Sequence, residues 1–236
     1  MRISSISSLM GAIAMLVGGA GEAAEPSRLI PPAKGEILVA FVLTEGATMI
    51  DFAGPWEVFQ DVHVEGRAAS MDGMMPFHLY TVSDSRTPIR TSGGMQVIPD
   101  YTFDDAPAPR VVVVGAQAGK SERMLEWLRR SARESDVLMS VCTGAFKLGA
   151  AGVLDGKKAT THHDFFDQFA KRFPAVSLQR GKRYVRSDAT IFTAGGLTSG
   201  IDLALHIVEL YFGRSVAEQT AIYMEYEGKG WVRGGA

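Results

Sequence analysis

Residues 138–152 read "LMSVCTGAFKLGAAG" and contain the chain's one cysteine, Cys142. An apolar run over 137–141 ends at this cysteine, and a helix-like run of small and apolar residues follows directly. A short, continuous apolar run is typical of a strand that is buried on both faces. The stretch therefore predicts a strand that turns at once into a helix, with Cys142 at the turn.

Strand and helix patterns alternate along the chain on both sides of this turn. The predicted strands are 36–43, 77–83, 110–115, 137–141, 158–161, 184–186 and 190–194, with a hairpin within 88–100. The predicted helices are one that starts at Gly54 and Pro55, and others at 121–133, 144–151, 164–173, 198–212 and 216–226. This alternation predicts an α/β fold: a doubly wound, mostly parallel sheet with helices on both faces. Such sheets bind ligands outside the carboxyl ends of their strands, which is where Cys142 lies.

The composition favours one domain and argues against nucleic acid as a partner. The chain has 236 residues, enough for one large α/β domain with a sizeable core. Its formal net charge is −2 and it shows no basic stripe, whereas nucleic-acid-binding domains usually have one. We therefore expect a domain over 36–227 and a C-terminal tail over 228–236.

The N-terminal residues differ in character from the rest of the chain. Arg2, an apolar stretch over 9–17 and small residues around Ala23 follow the order of a secretory signal peptide. We expect a signal peptide over 1–23, a proline-containing linker over 24–35, and a periplasmic or secreted protein. The apolar stretch is too short for a stable membrane span. An uncleaved anchor and a misassigned start codon are the alternatives, and without a functional signal the protein would be cytoplasmic.

The position of Cys142 favours a reactive thiol. A sharp strand-to-helix turn exposes its central residue at the sheet edge, often with strained dihedral angles. The unpaired N–H groups and the dipole of the following helix favour the thiolate, so the sequence predicts an acidic thiol. The alternatives are a small, buried, inert residue or a thiol paired with another molecule.

Backbone N–H groups near the turn predict a hole for a developing negative charge. The N–H of Thr143 follows the cysteine directly and points to one side of this hole. Gly115 and Ala116 end the neighbouring apolar strand, and Gly115 lets a backbone approach closely. We expect Gly115, Ala116 and Thr143 to line the hole.

Three stretches resemble the DJ-1/PfpI superfamily, also called ThiJ/PfpI, and its isocyanide hydratase-like branch in particular. They are "VVVVGAQAG", "SVCTGAFKLGAAGVLDGKKATTHH" and "TAGGLTSGIDLALHIVE". The similarity covers about residues 36–227. It implies a flavodoxin-like sandwich, usually a homodimer, that uses no metal or organic cofactor.

The resemblance also points to an acidic partner for the cysteine. In this branch an aspartate in the pattern Asp-x-x-Gly-Pro hydrogen-bonds the nucleophilic sulfur, and residues 51–55 match that pattern. A carboxyl group near a thiolate should have a raised pKa and could act as a general acid, which makes Asp51 the candidate. Glu45 does not match. The alternative is that Asp51 only binds backbone N–H groups of its loop.

Other residues limit the chemistry. Thr143 stands where the protease-like branch has a histidine, which argues against a peptidase. His162 matches a histidine near the pocket in DJ-1-like members, so it and Gly54 are candidate pocket residues, although a strand-end histidine is more often structural. No spacing of His, Cys and Asp suggests a metal site.

The sequence favours an enzyme that adds water to an isocyanide to give an N-substituted formamide. Cys142 would attack the small electrophilic substrate, Asp51 would protonate the adduct, and Thr143 would position groups. A glyoxalase- or deglycase-like enzyme acting on α-oxoaldehydes needs the same nucleophile. A cysteine that serves as a redox or ligand sensor is the alternative outside catalysis. Some relatives are transcription regulators, but this chain ends at Ala236, so we expect no DNA-binding module.

Overall fold

The computed structural model describes residues 29–32 and 35–233, without the side chain of Arg233. The predicted signal peptide and most of the predicted linker lie outside these residues. The end of the linker is attached to the domain, because the N–H of Leu29 donates to the carbonyl of Leu210 at 2.9 Å. None of the helices in the described ranges has the length and hydropathy that a membrane span needs.

Short apolar runs form the strands, as their composition predicts. The strands are β1 Ile37–Val42, β2 Phe77–Ser83, β3 Ile89–Arg90, β4 Gln96–Val97, β5 Tyr101–Thr102, β6 Val111–Val114, β7 Val137–Ser140, β8 Lys158–Ala159, β9 Ser177–Leu178, β10 Tyr184–Arg186 and β11 Ile191–Ala194. The helices are α1 Met49–Gln60, α2 Met71–Met74, α3 Glu122–Glu134, α4 Ala145–Ala150, α5 Phe166–Arg172, α6 Ser199–Phe212, α7 Arg214–Tyr223 and α8 Gly230–Arg233.

Seven strands form the main sheet in the order β10-β11-β7-β6-β1-β2-β5. Every neighbouring pair is parallel except β10 and β11, which are antiparallel. Strands β3 and β4 form the predicted hairpin, and β8 pairs with β9 beside the main sheet. The carboxyl ends of β6 and β7 are neighbours, so the loops after them share one edge.

Both faces of this sheet are covered. Along β1, Val39 and Phe41 belong to a core with residues of α1 and α6, whereas Ala40 and Val42 belong to a core with residues of α3 and α4. This alternation follows from the two-residue period of a strand. The predicted flavodoxin-like α/β sandwich is confirmed.

Helix α1 begins earlier than predicted. It starts at Met49, so Pro55 lies inside the helix and Asp51 lies in its first turn. Gly54 is explained by packing, because a Cβ atom there would lie 2.9 Å from Cγ1 of Ile201 on α6. The prediction mistook a close helix–helix contact and an internal proline for a helix start.

Two further boundaries differ from the predictions. Strand β8 ends at Ala159 instead of residue 161, and the next N–H, that of Thr160, donates to the hydroxyl of Thr193 at 2.9 Å. Residues 230–233 of the predicted tail form α8, and Trp231 is 1 % exposed within the core. The packed domain therefore extends beyond residue 227.

Candidate active site

Cys142 lies at a sharp turn directly after β7. Its backbone is in the left-handed region, with φ of +57°, and its N–H donates to the carbonyl of Gly195 at 2.8 Å. The hydroxyl of Thr161 donates to the carbonyl of Cys142 at 2.9 Å, which holds the turn from the other side. A Cβ atom at Gly144 would lie 2.0 Å from the carbonyl oxygen of Val114, so only glycine fits there. The structure thus has the strained elbow that the sequence predicts.

Asp51 reaches the same place from α1. Its side chain is fully buried, and Oδ2 accepts a hydrogen bond from the N–H of Ala116 at 2.9 Å. The other oxygen, Oδ1, has no hydrogen-bond partner that meets ordinary geometry within the described residues, but the Cys142 thiol is close enough to interact with the carboxylate. A Cβ atom at Gly115 would lie 2.8 Å from Cβ of Asp51. Gly115 therefore makes room for the carboxyl group beside the sulfur.

The thiol of Cys142 has a raised pKa in this pair and is not acidic. Burial raises the pKa of Asp51 to about 6, against the opposing effect of hydrogen bonds from Ala116 and Cys142. Burial and the negative charge of Asp51 raise the pKa of Cys142 to about 11, although the N–H groups of Thr143 and Leu197 oppose this. The prediction of an acidic thiol is wrong, because loss of water outweighs the N–H groups and the short dipole of six-residue α4. At neutral pH the pair is a thiol beside a carboxylate.

Two backbone N–H groups face the sulfur of Cys142. They belong to Thr143 and Leu197. The N–H of Ala116 donates to Asp51 and does not face the sulfur. That Gly115, Ala116 and Thr143 line a hole for a charge on the substrate stays a prediction. Leu197 was missed because nothing in its residue type marks it. Its φ of +53° and the contact between Cys142 and Gly195 bring its loop to the sulfur.

His162 lies at the edge of the same loop. A Cβ atom at Gly196 would lie 2.1 Å from Cδ2 of His162, so the ring packs directly against Gly196. The ring also stacks on His163, with centroids 4.4 Å apart. His162, His163 and Asp164 offer ligand atoms within 4.8 Å of one another, but the latter two are exposed and contact each other at 3.1 Å. We assign no metal role to these three residues. Gly54, the other candidate pocket residue, packs against Ile201 on α6.

Of two cavities in the structure, one lies next to Cys142 and the other does not. One of about 180 Å³ is lined by Gln117, Thr143, Phe146, Lys147, Phe165 and Gln168, and so lies beside the cysteine turn. The other, of about 340 Å³, is lined by Asp61, His63, Glu65, Met71, Met74, Gln219, Thr220 and Tyr223. None of the side chains lining the larger cavity belongs to the site around Cys142.

The sequence is similar to those of an enzyme and of a transcription regulator. Isonitrile hydratase of Pseudomonas putida is 32% identical over 193 residues, which cover 80% of this chain and 78% of that protein. The HTH-type transcriptional regulator GbdR of Pseudomonas aeruginosa is 28% identical, and the match covers 80% of this chain but 50% of the regulator.

Solved structures show the same fold. A ThiJ/PfpI family protein from Pseudomonas syringae is 26% identical with a TM-score of 0.67, covering 91% of this chain and 85% of its own. DJ-1beta of Drosophila melanogaster, 18% identical, has a TM-score of 0.67 and covers 82% of this chain and 100% of its own. The DJ-1/PfpI family model matches residues 38–210. The chain, with its cysteine elbow and its sandwich of helices around a parallel sheet, belongs to the DJ-1/PfpI family.

Proposed function

We propose that the protein hydrates isocyanides, also called isonitriles, through Cys142 and Asp51. The observation that carries this proposal is the buried pair itself: a thiol whose raised pKa keeps it protonated, beside the Asp51 carboxylate with which it interacts. The relative named isonitrile hydratase, at 32% identity over 80% of this chain, supports the choice of reaction.

The first step forms a bond between sulfur and carbon. Since the thiol has a pKa of about 11 and Asp51 one of about 6, the carboxylate is the base that removes the thiol proton as sulfur attacks. Sulfur bonds to the terminal carbon of R–N≡C, and Asp51 gives the same proton to that carbon. The product is a thioimidate, R–N=CH–S–Cys142, with every atom of thiol and substrate retained.

The second step releases the formamide. Water adds across the C=N bond, with its hydroxyl on carbon and its other hydrogen on nitrogen. Asp51 then accepts the hydroxyl proton as the C=O bond forms and the C–S bond breaks, and it returns that proton to sulfur. The N–H groups of Thr143 and Leu197 stabilise the leaving thiolate. The products are R–NH–CHO and the original thiol.

The same observations weigh on the other candidates. A redox sensor needs an exposed thiol of low pKa, whereas Cys142 is 6 % exposed and its pKa is raised. The chain spans about half the length of the regulator it resembles, so that protein's role carries no argument for this one. Attack on an α-oxoaldehyde would use the same pair and is separated from hydration by the assay below.

Activity on a simple aryl isocyanide tests the proposal. We expect Cys142→Ala to abolish formamide production and Asp51→Asn to reduce it by about 10²–10⁴-fold, the usual contribution of an acid–base group. Glu45→Gln, which removes a carboxylate from the loop before α1, is the matched control, and its formamide production should be close to that of wild type. Wild-type protein that turns over methylglyoxal but no isocyanide would overturn the choice of substrate, and a fully active Asp51→Asn would overturn the role of Asp51.

A further inference from the structure

The smaller cavity begins one residue from the reacting cysteine. Thr143, which follows Cys142, forms part of its wall, and Lys147 forms another part. Thr143 lies in the short 3-10 turn Cys142–Gly144, which leads directly into α4, and Lys147 lies in the first turn of α4. Phe146 and Phe165, with ring centroids 6.3 Å apart, add apolar surface. Cys142 itself is not part of this lining, so a substrate bound at the sulfur would reach the cavity by extending past Thr143.

Lys147 is an unusual residue for this wall because it is only 8 % exposed. Its Nζ donates to the carbonyl oxygens of Ala118 and Gly119, at 3.1 and 2.6 Å. An ammonium group has three N–H donors, and these two carbonyl oxygens accept from two of them. The third N–H is available to a ligand. Lys147 takes part in no ion pair with a carboxylate within the part of the chain that the structure describes.

The charges around Lys147 are of its own sign. Burial lowers its pKa, and the positive charges of Lys120 and Arg172 lower it further. The polar neighbour Gln117 carries no charge and cannot neutralise Lys147; its amide oxygen accepts from the N–H of Thr44 at 2.6 Å and its amide nitrogen donates to the carbonyl of Val42. A buried cation without a counter-ion is unfavourable, and an anion in the cavity would offset that cost.

We propose that this cavity binds a carboxylate on the substrate, held by the ammonium group of Lys147. The proposal rests on the hydratase function above and narrows its substrate class to short isocyano-carboxylates. The isocyanide carbon would lie at Cys142 and the carboxylate beside Lys147, with the short spacer running along the phenylalanine rings.

A matched pair of substrates tests this subsite. Isocyanoacetate and methyl isocyanoacetate share the reacting group and differ in charge. We expect wild-type kcat/KM to favour the acid by about tenfold or more, the scale of one hydrogen bond to a charged group. Lys147→Met should lose this preference, and Lys147→Arg should keep part of it. Lys158→Met, which removes an exposed lysine and the same charge, should retain the full preference. An acid-to-ester ratio that is equal in wild type and Lys147→Met would overturn the proposal.

Binding of an inert ligand separates this subsite from the reaction. N-formylglycine, the hydration product of isocyanoacetate, and its neutral amide can be compared by calorimetry without turnover. Wild type should bind the acid more tightly than the amide, and Lys147→Met should not. If wild type hydrates no isocyanide, the proposed function fails and this binding preference still decides the subsite. Equal affinity of wild type for acid and amide would overturn it, whether or not Lys147→Met folds.

Discussion

At the scale of single residues, the charge of Asp51 helps to keep the Cys142 thiol protonated. The Asp51 side chain is fully buried beside Gly115 and one of its oxygens is bound by Ala116. The elbow at Cys142, together with the family resemblance carried by residues 51–55, predicted that these two side chains meet. The pKa of the thiol was not predictable in this way, because it is the balance of burial, a neighbouring charge and two N–H groups that only the folded chain brings together.

Asp51→Asn should stabilise the protein at high pH. The folded-state pKa of Asp51 is raised from 3.8 to about 6, so its favourable contribution is fully present below 3.8 and is lost as pH rises through 6. Asparagine carries no charge and can still accept from Ala116. We expect a stability gain of about 1–3 kcal/mol at pH 8 and a smaller one at pH 4.5. Thermal unfolding of both proteins at the two pH values measures it, and a gain that does not grow with pH would contradict the raised pKa.

At the scale of elements, the strands were predictable and some helix boundaries were not. Continuous apolar runs such as Val111–Val114 have no other place than the interior of a covered sheet. The start of α1 was missed because Pro55 and Gly54 signal a helix start, whereas their actual setting is the contact with α6. Helix α8 was missed because its glycine-rich, polar surroundings read as a tail, and Trp231 was the one residue that could have indicated packing.

Trp231 should anchor α8 strongly. Its side chain is 1 % exposed in the core, and its backbone is also held: the backbone N–H donates to Oδ1 of buried Asp202 at 3.1 Å and the backbone carbonyl accepts from the hydroxyl of Tyr184 at 2.9 Å. Loss of so large a buried side chain typically costs about 3–5 kcal/mol, which we expect for Trp231→Ala in chemical denaturation. Val232→Ala, at an exposed neighbour, should change stability by less than about 0.5 kcal/mol. A Trp231→Ala variant as stable as wild type would contradict the packing of α8.

At the scale of the whole molecule, the fold brings the loops after β6 and β7 and the first turn of α1 to one edge of the sheet, where the pair forms. The family and the sandwich were predictable from three sequence stretches. The donor Leu197 and the lysine in the cavity were not, because their roles depend on which loops the topology places together. Export and removal of residues 1–23 stays a prediction, which N-terminal sequencing of protein recovered from cells would decide.

The homodimer also stays a prediction, drawn from the family resemblance and from the prevalence of two-fold symmetry among soluble oligomers. Light scattering coupled to size-exclusion chromatography at micromolar concentration measures it directly. We expect twice the mass of the processed chain. A mass that corresponds to one chain at all concentrations tested would contradict the prediction.

The central claim is that the Asp51 carboxylate takes the proton of the Cys142 thiol, and the pH dependence of kcat/KM for an aryl isocyanide tests it most directly. This parameter reports the ionisation of the free enzyme. Activity should rise with pH around a midpoint of about 6, as Asp51 loses its proton, and should need no ionised thiol. In Asp51→Asn that midpoint should vanish and the remaining activity should rise only toward the ionisation of the thiol. A wild-type profile that is flat between pH 5 and 8, or a midpoint near 6 that persists in Asp51→Asn, would contradict the claim.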